Sequence, residues 1–153
     1  MTKWQQRWVD MANMVSTWSK DPNTKIGVVA VNDERKQLLT VGFNGIPRGV
    51  DDKPKERSSR EGEEKYYWYA HGERNAIYNA SFFGLSLSGA TMYMNCGMPC
   101  ADCAIAIIQS GIKEIVIKDS PPTGEPNNKW DEHAKRSRIM LTEAGVNVIL
   151  YKP

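Results

Sequence analysis

His71 stands two residues before Glu73, and Cys100 stands directly after Pro99 and three residues before Cys103; these four side chains have the types and spacing to do chemistry. One histidine and two cysteines are zinc-type ligands, and three protein ligands leave one tetrahedral position open for water. An open position marks a catalytic metal and not a closed structural one. Glu73 sits beside the ligands without being needed among them, so it can carry protons to and from such a water. A carboxylate in the first turn of a helix is also favoured by the helix dipole alone. With His71 two positions before it and Pro99-Cys100-x-x-Cys103 downstream, the proton-shuttle role is the expected one.

The remaining candidates are fewer and weaker. An odd count of three cysteines in a chain with no export signal argues against a disulfide framework. A redox reading of Cys100-x-x-Cys103 stays open, but it needs no distant His-x-Glu, so metal binding is preferred. Cys96 would extend the set to Cys-x3-Cys-x2-Cys and is better read as a small buried hydrophobe. His133 falls in a charged segment and reads as a solvated surface residue. Two thiolates cancel the charge of a zinc ion, so further negative charge at the site must be offset. Two helix N-termini aimed at the metal, each worth about half a positive charge, would do this.

The elements that must position these residues follow from the apolar pattern. Trp4, Trp8, Met11, Val15 and Trp18 recur at helical steps, predicting a first helix that ends before Asp21-Pro22. Ile26 to Val31 and Leu38 to Phe43 read as strands joined by a hairpin turn at Asn32 to Lys36. From Pro47 to about Glu64 the chain is polar and aperiodic, an insertion of about residues 47–69 before His71. Helices are predicted at Ala70–Phe83, with Ala76, Ile77, Ala80 and Phe83 inward, at Cys100–Ser110 and at about Trp130–Ala144. Further strands are predicted at Thr91–Asn95, Glu114–Lys118 and Asn147–Tyr151. An opening hairpin followed by alternating helices and strands implies an α/β fold, a three-layer α/β/α sandwich around a mixed five-stranded sheet.

Composition limits what such a fold can serve. With 153 residues, 41% hydrophobic and 25% charged, the chain is expected to form a single domain, 1–153, around one sizeable core. Its formal charge of +2 gives no extended basic surface, so no polynucleotide partner is expected. No apolar run is long enough to cross a bilayer, and Trp4, Gln5, Gln6, Arg7 and Asp10 stand where a signal peptide would be apolar. No membrane partner and a cytoplasmic location are therefore expected.

Longer stretches carry a resemblance. Ser19-Lys20-Asp21-Pro22-Asn23-Thr24-Lys25-Ile26-Gly27, Gly42-Phe43-Asn44-Gly45-Ile46-Pro47-Arg48-Gly49, His71-Gly72-Glu73-Arg74-Asn75-Ala76-Ile77 and Cys103 to Ile112 resemble the deoxycytidylate (dCMP) deaminase family of the cytidine deaminase-like superfamily. The likeness covers nearly the whole chain. It implies a cytidine deaminase-like fold with His71, Cys100 and Cys103 on one catalytic Zn2+ and Glu73 as general acid and base. Asn44 would hold the sugar and base side of the substrate, and Gly72 would offer its backbone N–H to the pyrimidine carbonyl. The implied reaction is dCMP to dUMP and ammonia, feeding thymidylate synthesis. Alternatives are dCTP as a further or replacement substrate, another cytidine- or adenosine-type substrate, or a noncatalytic zinc or nucleotide-binding module, which would have no need of Glu73.

Phosphate contacts are expected from Lys25 first, then Lys20 and Arg48, which flank Asn44. Tyr66-Tyr67-Trp68-Tyr69 could stack on a base, although aromatic runs at helix starts more often serve a core or interface. Members of the family are often homo-oligomers, commonly hexamers, activated by dCTP with Mg2+ and inhibited by dTTP. The resemblance would place that effector site around Gly42, Phe43, Asn44 and Gly45. Phe43 replaces the family's usual tyrosine, and Gly72 its usual alanine. Tyr93 to Cys100 runs one residue longer than usual, and the insertion offers no Cys or His for the second, structural zinc of some relatives.

Overall fold

The computed structural model describes residues 1–153. Helix α1 (Lys3–Ser16) opens with a capping box, Thr2 accepting from the Gln5 N–H while the Gln5 side chain accepts from the Thr2 N–H. It stops early, where the Ser16 and Thr17 hydroxyls donate to the Asn13 and Met14 carbonyls. The expected apolar stripe is therefore displaced: Trp8, Val9, Ala12 and Val15 are buried, while Trp4 and Trp18 are exposed. Trp18 lies beyond the helix end.

Strands β1 (Gly27–Asn32) and β2 (Gln37–Phe43) form the hairpin, with a register shift between Ala30 and Val31. The segment expected as plain loop holds two 3-10 turns, Lys55–Ser58 and Glu61–Glu63, and a one-turn helix α2 (Lys65–Trp68). There follow α3 (Gly72–Phe82), β3 (Thr91–Met94), α4 (Ala101–Gln109), β4 (Glu114–Lys118), α5 (Lys129–Glu143) and β5 (Asn147–Tyr151). The sheet order is β2-β1-β3-β4-β5, with β1 antiparallel to both neighbours and β3, β4 and β5 parallel.

Strand alternation divides the core in two. Val28, Ala30, Met92, Met94, Ile115 and Ile117 face α3, α4 and α5, while Val29, Val31, Tyr93 and Val116 face α1. The result is the expected three-layer α/β/α arrangement. Two close approaches set its spacing. A Cβ at Gly27 would lie 2.0 Å from the Ala12 carbonyl of α1, and one at Gly42 would lie 2.3 Å from the Ala76 nitrogen of α3. On α3, Ala76 and Ala80 are buried as expected, but Phe83 is 82% exposed because the helix has ended and Gly84 turns the chain away at φ +66°.

Candidate active site

The start of α3 meets the start of α4, the helix that follows the carboxyl end of β3, where ligand sites in open α/β sheets are expected. His71 and Cys100 are the N-cap residues of α3 and α4, both in extended backbone and neither capping its helix with its own side chain. Each is thus free to aim elsewhere. The His71 Nδ1 lies 3.4 Å from the Sγ of Cys100 and 3.4 Å from the Sγ of Cys103, and all three ligand atoms fall within 4.8 Å of one another. Ligand atoms around a tetrahedral zinc sit about 3.5 Å apart, so the donor set fits that ion.

The electrostatics agree with the fit. A hydrogen bond from Cys103, with help from His71, holds the Cys100 thiol well below the usual thiol range, so a thiolate is available to a metal. Burial would lower the Arg74 guanidinium, yet the nearby Cys103 and Cys100 sulfurs hold its pKa up. Arg74 therefore adds a positive charge that the helix ends alone were expected to supply. Glu73, 4% exposed, is pushed above the ordinary carboxylate range by burial, against the pull of His71 and of the helix backbone. Burial thus favours the protonated form, and a carboxyl beside the metal ligands is placed to take and give a proton.

His71, Glu73 and Cys100 line a cleft of about 460 Å³. Ile26, Asn44 and Tyr69 form one side, and Arg60, Lys65, Tyr66 and Trp130 the rim, with Gly72 and Cys96 beside the metal ligands. Cys96 stays outside the group of three ligands. Asn44 is buried, and its amide is committed: both Nδ2 hydrogens go to Asp21 and the Thr24 carbonyl, and Oδ1 accepts from the Ile26 N–H at 2.8 Å. What Asn44 has left for a ligand is the second lone pair of Oδ1.

The three cations expected at the phosphate lie elsewhere. Lys20 is exposed and paired with Asp52 at 2.6 Å, Lys25 is exposed and lines no part of the cleft, and Arg48 donates to Asn79 at 2.9 Å. Arg48 lines a separate cleft of about 610 Å³ on the outer face of β2 and α3, which holds neither nucleophile nor acid. Of the aromatic run, Tyr66 and Tyr69 reach the site, Tyr67 is 82% exposed, and the Trp68 Nε1 donates to Glu64 at 2.7 Å. His133 is not a solvated residue: it is half-buried and its Nδ1 accepts the Ala101 N–H at 3.2 Å, directly after Cys100. Trp130 packs 6.4 Å from the His71 ring. Sequence periodicity gave no sign of either contact, because α5 reaches the site only through tertiary packing.

A mixed sheet sandwich that holds a histidine, two cysteines and a buried glutamate at two helix starts defines a zinc-dependent hydrolytic enzyme. The family pattern described as the cytidine and deoxycytidylate deaminase zinc-binding region matches residues 2–119. The chain is 36% identical over 148 residues to an uncharacterized deaminase in the luxG 3′ region of Aliivibrio fischeri, covering 97% of this chain and 93% of that one. It is 32% identical to the deoxycytidylate deaminase of Homo sapiens, over 99% of this chain and 81% of the relative. The dCMP deaminase of cyanophage S-TIM5, solved in complex with dCMP and dUMP, shares the fold with a TM-score of 0.76 at 21% identity over 99% of each chain. This chain belongs to the cytidine and deoxycytidylate deaminase family and is a zinc-dependent deaminase.

Proposed function

We propose that the protein hydrolyses dCMP to dUMP and ammonia, with one water consumed per turnover. The observation that carries the chemistry is the buried Glu73 carboxyl beside the His71, Cys100 and Cys103 donor set at the bottom of one cleft. His71, Cys100 and Cys103 would hold the zinc, which when bound would supply the Lewis acidity that makes a water nucleophilic near pH 7. Glu73 would carry the first proton of that water to the pyrimidine ring nitrogen as oxygen adds to the carbon bearing the amine. It would then carry the second, from the added hydroxyl, to the amine, which leaves as ammonia when the C–N bond breaks and the carbonyl forms. Gly72 directs its N–H at the pyrimidine carbonyl, Asn44 offers Oδ1 to the sugar, and Trp130 and Tyr66 bound the space a base occupies. The choice of a deoxycytidine monophosphate is supported by the deoxycytidylate deaminases among the relatives. The family resemblance extends this reading to a cytoplasmic homo-oligomer regulated by dCTP with Mg2+ and by dTTP, although Gly42 of the expected effector segment is already committed to packing against α3.

Ammonia release from cytidine, deoxycytidine, CMP, dCMP, dCTP and a single-stranded oligonucleotide tests the substrate. The expected order puts dCMP first, and a preference for unphosphorylated nucleosides would overturn the nucleotide reading while leaving the chemistry intact. Glu73→Gln should keep its zinc and lose about 10²- to 10⁴-fold in kcat. Near-normal turnover in that variant would remove Glu73 from the reaction.

A further inference from the structure

Two cations line the cleft outside the metal site, and their surroundings differ. Lys65 is buried, and its ammonium is paired with Asp21, which is wholly buried. That charge is spent inside the protein. The Arg60 guanidinium takes part in no ion pair, and its one hydrogen bond runs from Nη2 to the Thr24 hydroxyl at 2.8 Å. Four of its five N–H donors stay free at the rim of the cleft.

The insertion holds Arg60 there. Gly62 and Glu63, two and three residues on, both adopt the left-handed backbone region, at φ 60° and φ 61°. Such a conformation is costly for a glutamate and persists only where neighbours fix it. Here the Glu63 carboxylate pairs with Lys129, and the Lys65 N–H donates to the Ser59 carbonyl at 2.9 Å. The turn is tied at both ends, and the guanidinium is braced by Thr24 from the other wall.

We infer that Arg60 is the phosphate-binding, specificity-determining residue of this cleft, taking the 5′-phosphate of the nucleotide in place of Lys20, Lys25 or Arg48. The assignment rests on the nucleotide reading above and adds the group that enforces it. An unpaired guanidinium presents a fork of donors that matches two phosphate oxygens, and His71, Cys100 and the buried Glu73 line the same cleft, where the base must go. Lys65 contributes indirectly, by neutralising Asp21 so that the wall carries no free carboxylate to repel the phosphate.

The test compares dCMP with deoxycytidine as substrates for the zinc-loaded wild type, Arg60→Ala, Arg60→Lys and Lys25→Ala. A charge-assisted hydrogen bond to an ionic ligand corresponds to about 10- to 100-fold in affinity. Arg60→Ala is expected to lower the ratio of kcat/KM for dCMP over that for deoxycytidine by this factor, chiefly through KM. Arg60→Lys should restore part of the ratio, and Lys25→Ala should leave it within twofold of wild type. An unchanged ratio in Arg60→Ala, or an equal loss on both substrates, would overturn the assignment. A wild type that does not prefer dCMP to deoxycytidine would instead sink the nucleotide reading on which it rests.

Discussion

Asp21 carries its charge with no solvent contact, and five groups hold it there: the Lys65 ammonium, the Asn44 amide at 2.9 Å, the Asn23 and Thr24 N–H groups, and a Ser19 hydroxyl that braces its backbone. Burial alone would raise the Asp21 carboxyl, but Lys65 and the two backbone donors together hold it below the ordinary value. A carboxyl depressed in the folded state contributes stability that is complete above its unfolded pKa of about 3.9 and is lost as pH falls through the folded value. Replacing one partner of such a pair strands the other charge, at a cost of about 3–5 kcal/mol. Asp21→Asn should therefore be less stable than wild type by a constant margin from pH 8 to pH 5, with the two converging as the pH drops below about 4. Urea unfolding across that range measures it. A margin that widens toward acid would contradict the depressed carboxyl.

At the level of elements, the site depends on how closely α3 lies on β2. The Asn75 and Asn79 amides donate to the Phe43 and Val41 carbonyls at 2.8 Å each, the Thr40 hydroxyl donates to the Ala76 carbonyl, and Gly42 leaves room for the helix backbone. Gly42→Ala would push its Cβ against the Ala76 nitrogen and the Gly72 carbonyl, so α3 must shift and carry His71 and Glu73 with it. Overpacking of this kind costs about 1–3 kcal/mol. The expected outcome is a lower melting temperature together with weaker zinc retention, whereas Gly45→Ala, whose Cβ meets nothing within 4 Å, should change neither. Equal behaviour of the two variants would deny α3 this dependence. Elements of this kind were readable from sequence where a β-branched run was bounded by turn residues: Glu114–Lys118 and Asn147–Tyr151 match their expected limits. His71, Cys100 and Cys103 were readable because short spacings at helix starts survive any tertiary arrangement. Arg60, Trp130 and His133 were not, since an aperiodic insertion and the polar end of α5 carry no pattern that says what they face. Lys20 and Lys25 stand close to the Asn44 partners Asp21 and Thr24 in sequence, yet neither lines the cleft, because neighbours along an irregular segment need not face the same way.

Across the whole molecule, a zinc ion on His71, Cys100 and Cys103 would tie the start of α3 to the start of α4, segments 29 residues apart at their nearest ligands. The apolar packing does not depend on that tie. One cluster of 15 buried residues under α3, α4 and α5 and another of 9 under α1 close on the sheet, and none of His71, Cys100 and Cys103 is among them. The chain should therefore keep its fold when zinc is withdrawn and lose only the stability that binding supplies. A ligand that binds the native state at about 1,000 times its Kd adds about 4 kcal/mol, and for a chain of this length each kcal/mol is worth roughly 2–4 °C. Chelation is expected to abolish turnover, lower the melting temperature by roughly 10 °C and leave the far-ultraviolet helical signal at 25 °C intact. Loss of that signal on chelation would show that the metal is needed to form the sheet sandwich. An unchanged melting temperature after complete zinc removal would show that the two helix starts are held by the protein alone, with His133 and Arg74 sufficient to keep the ligands in place.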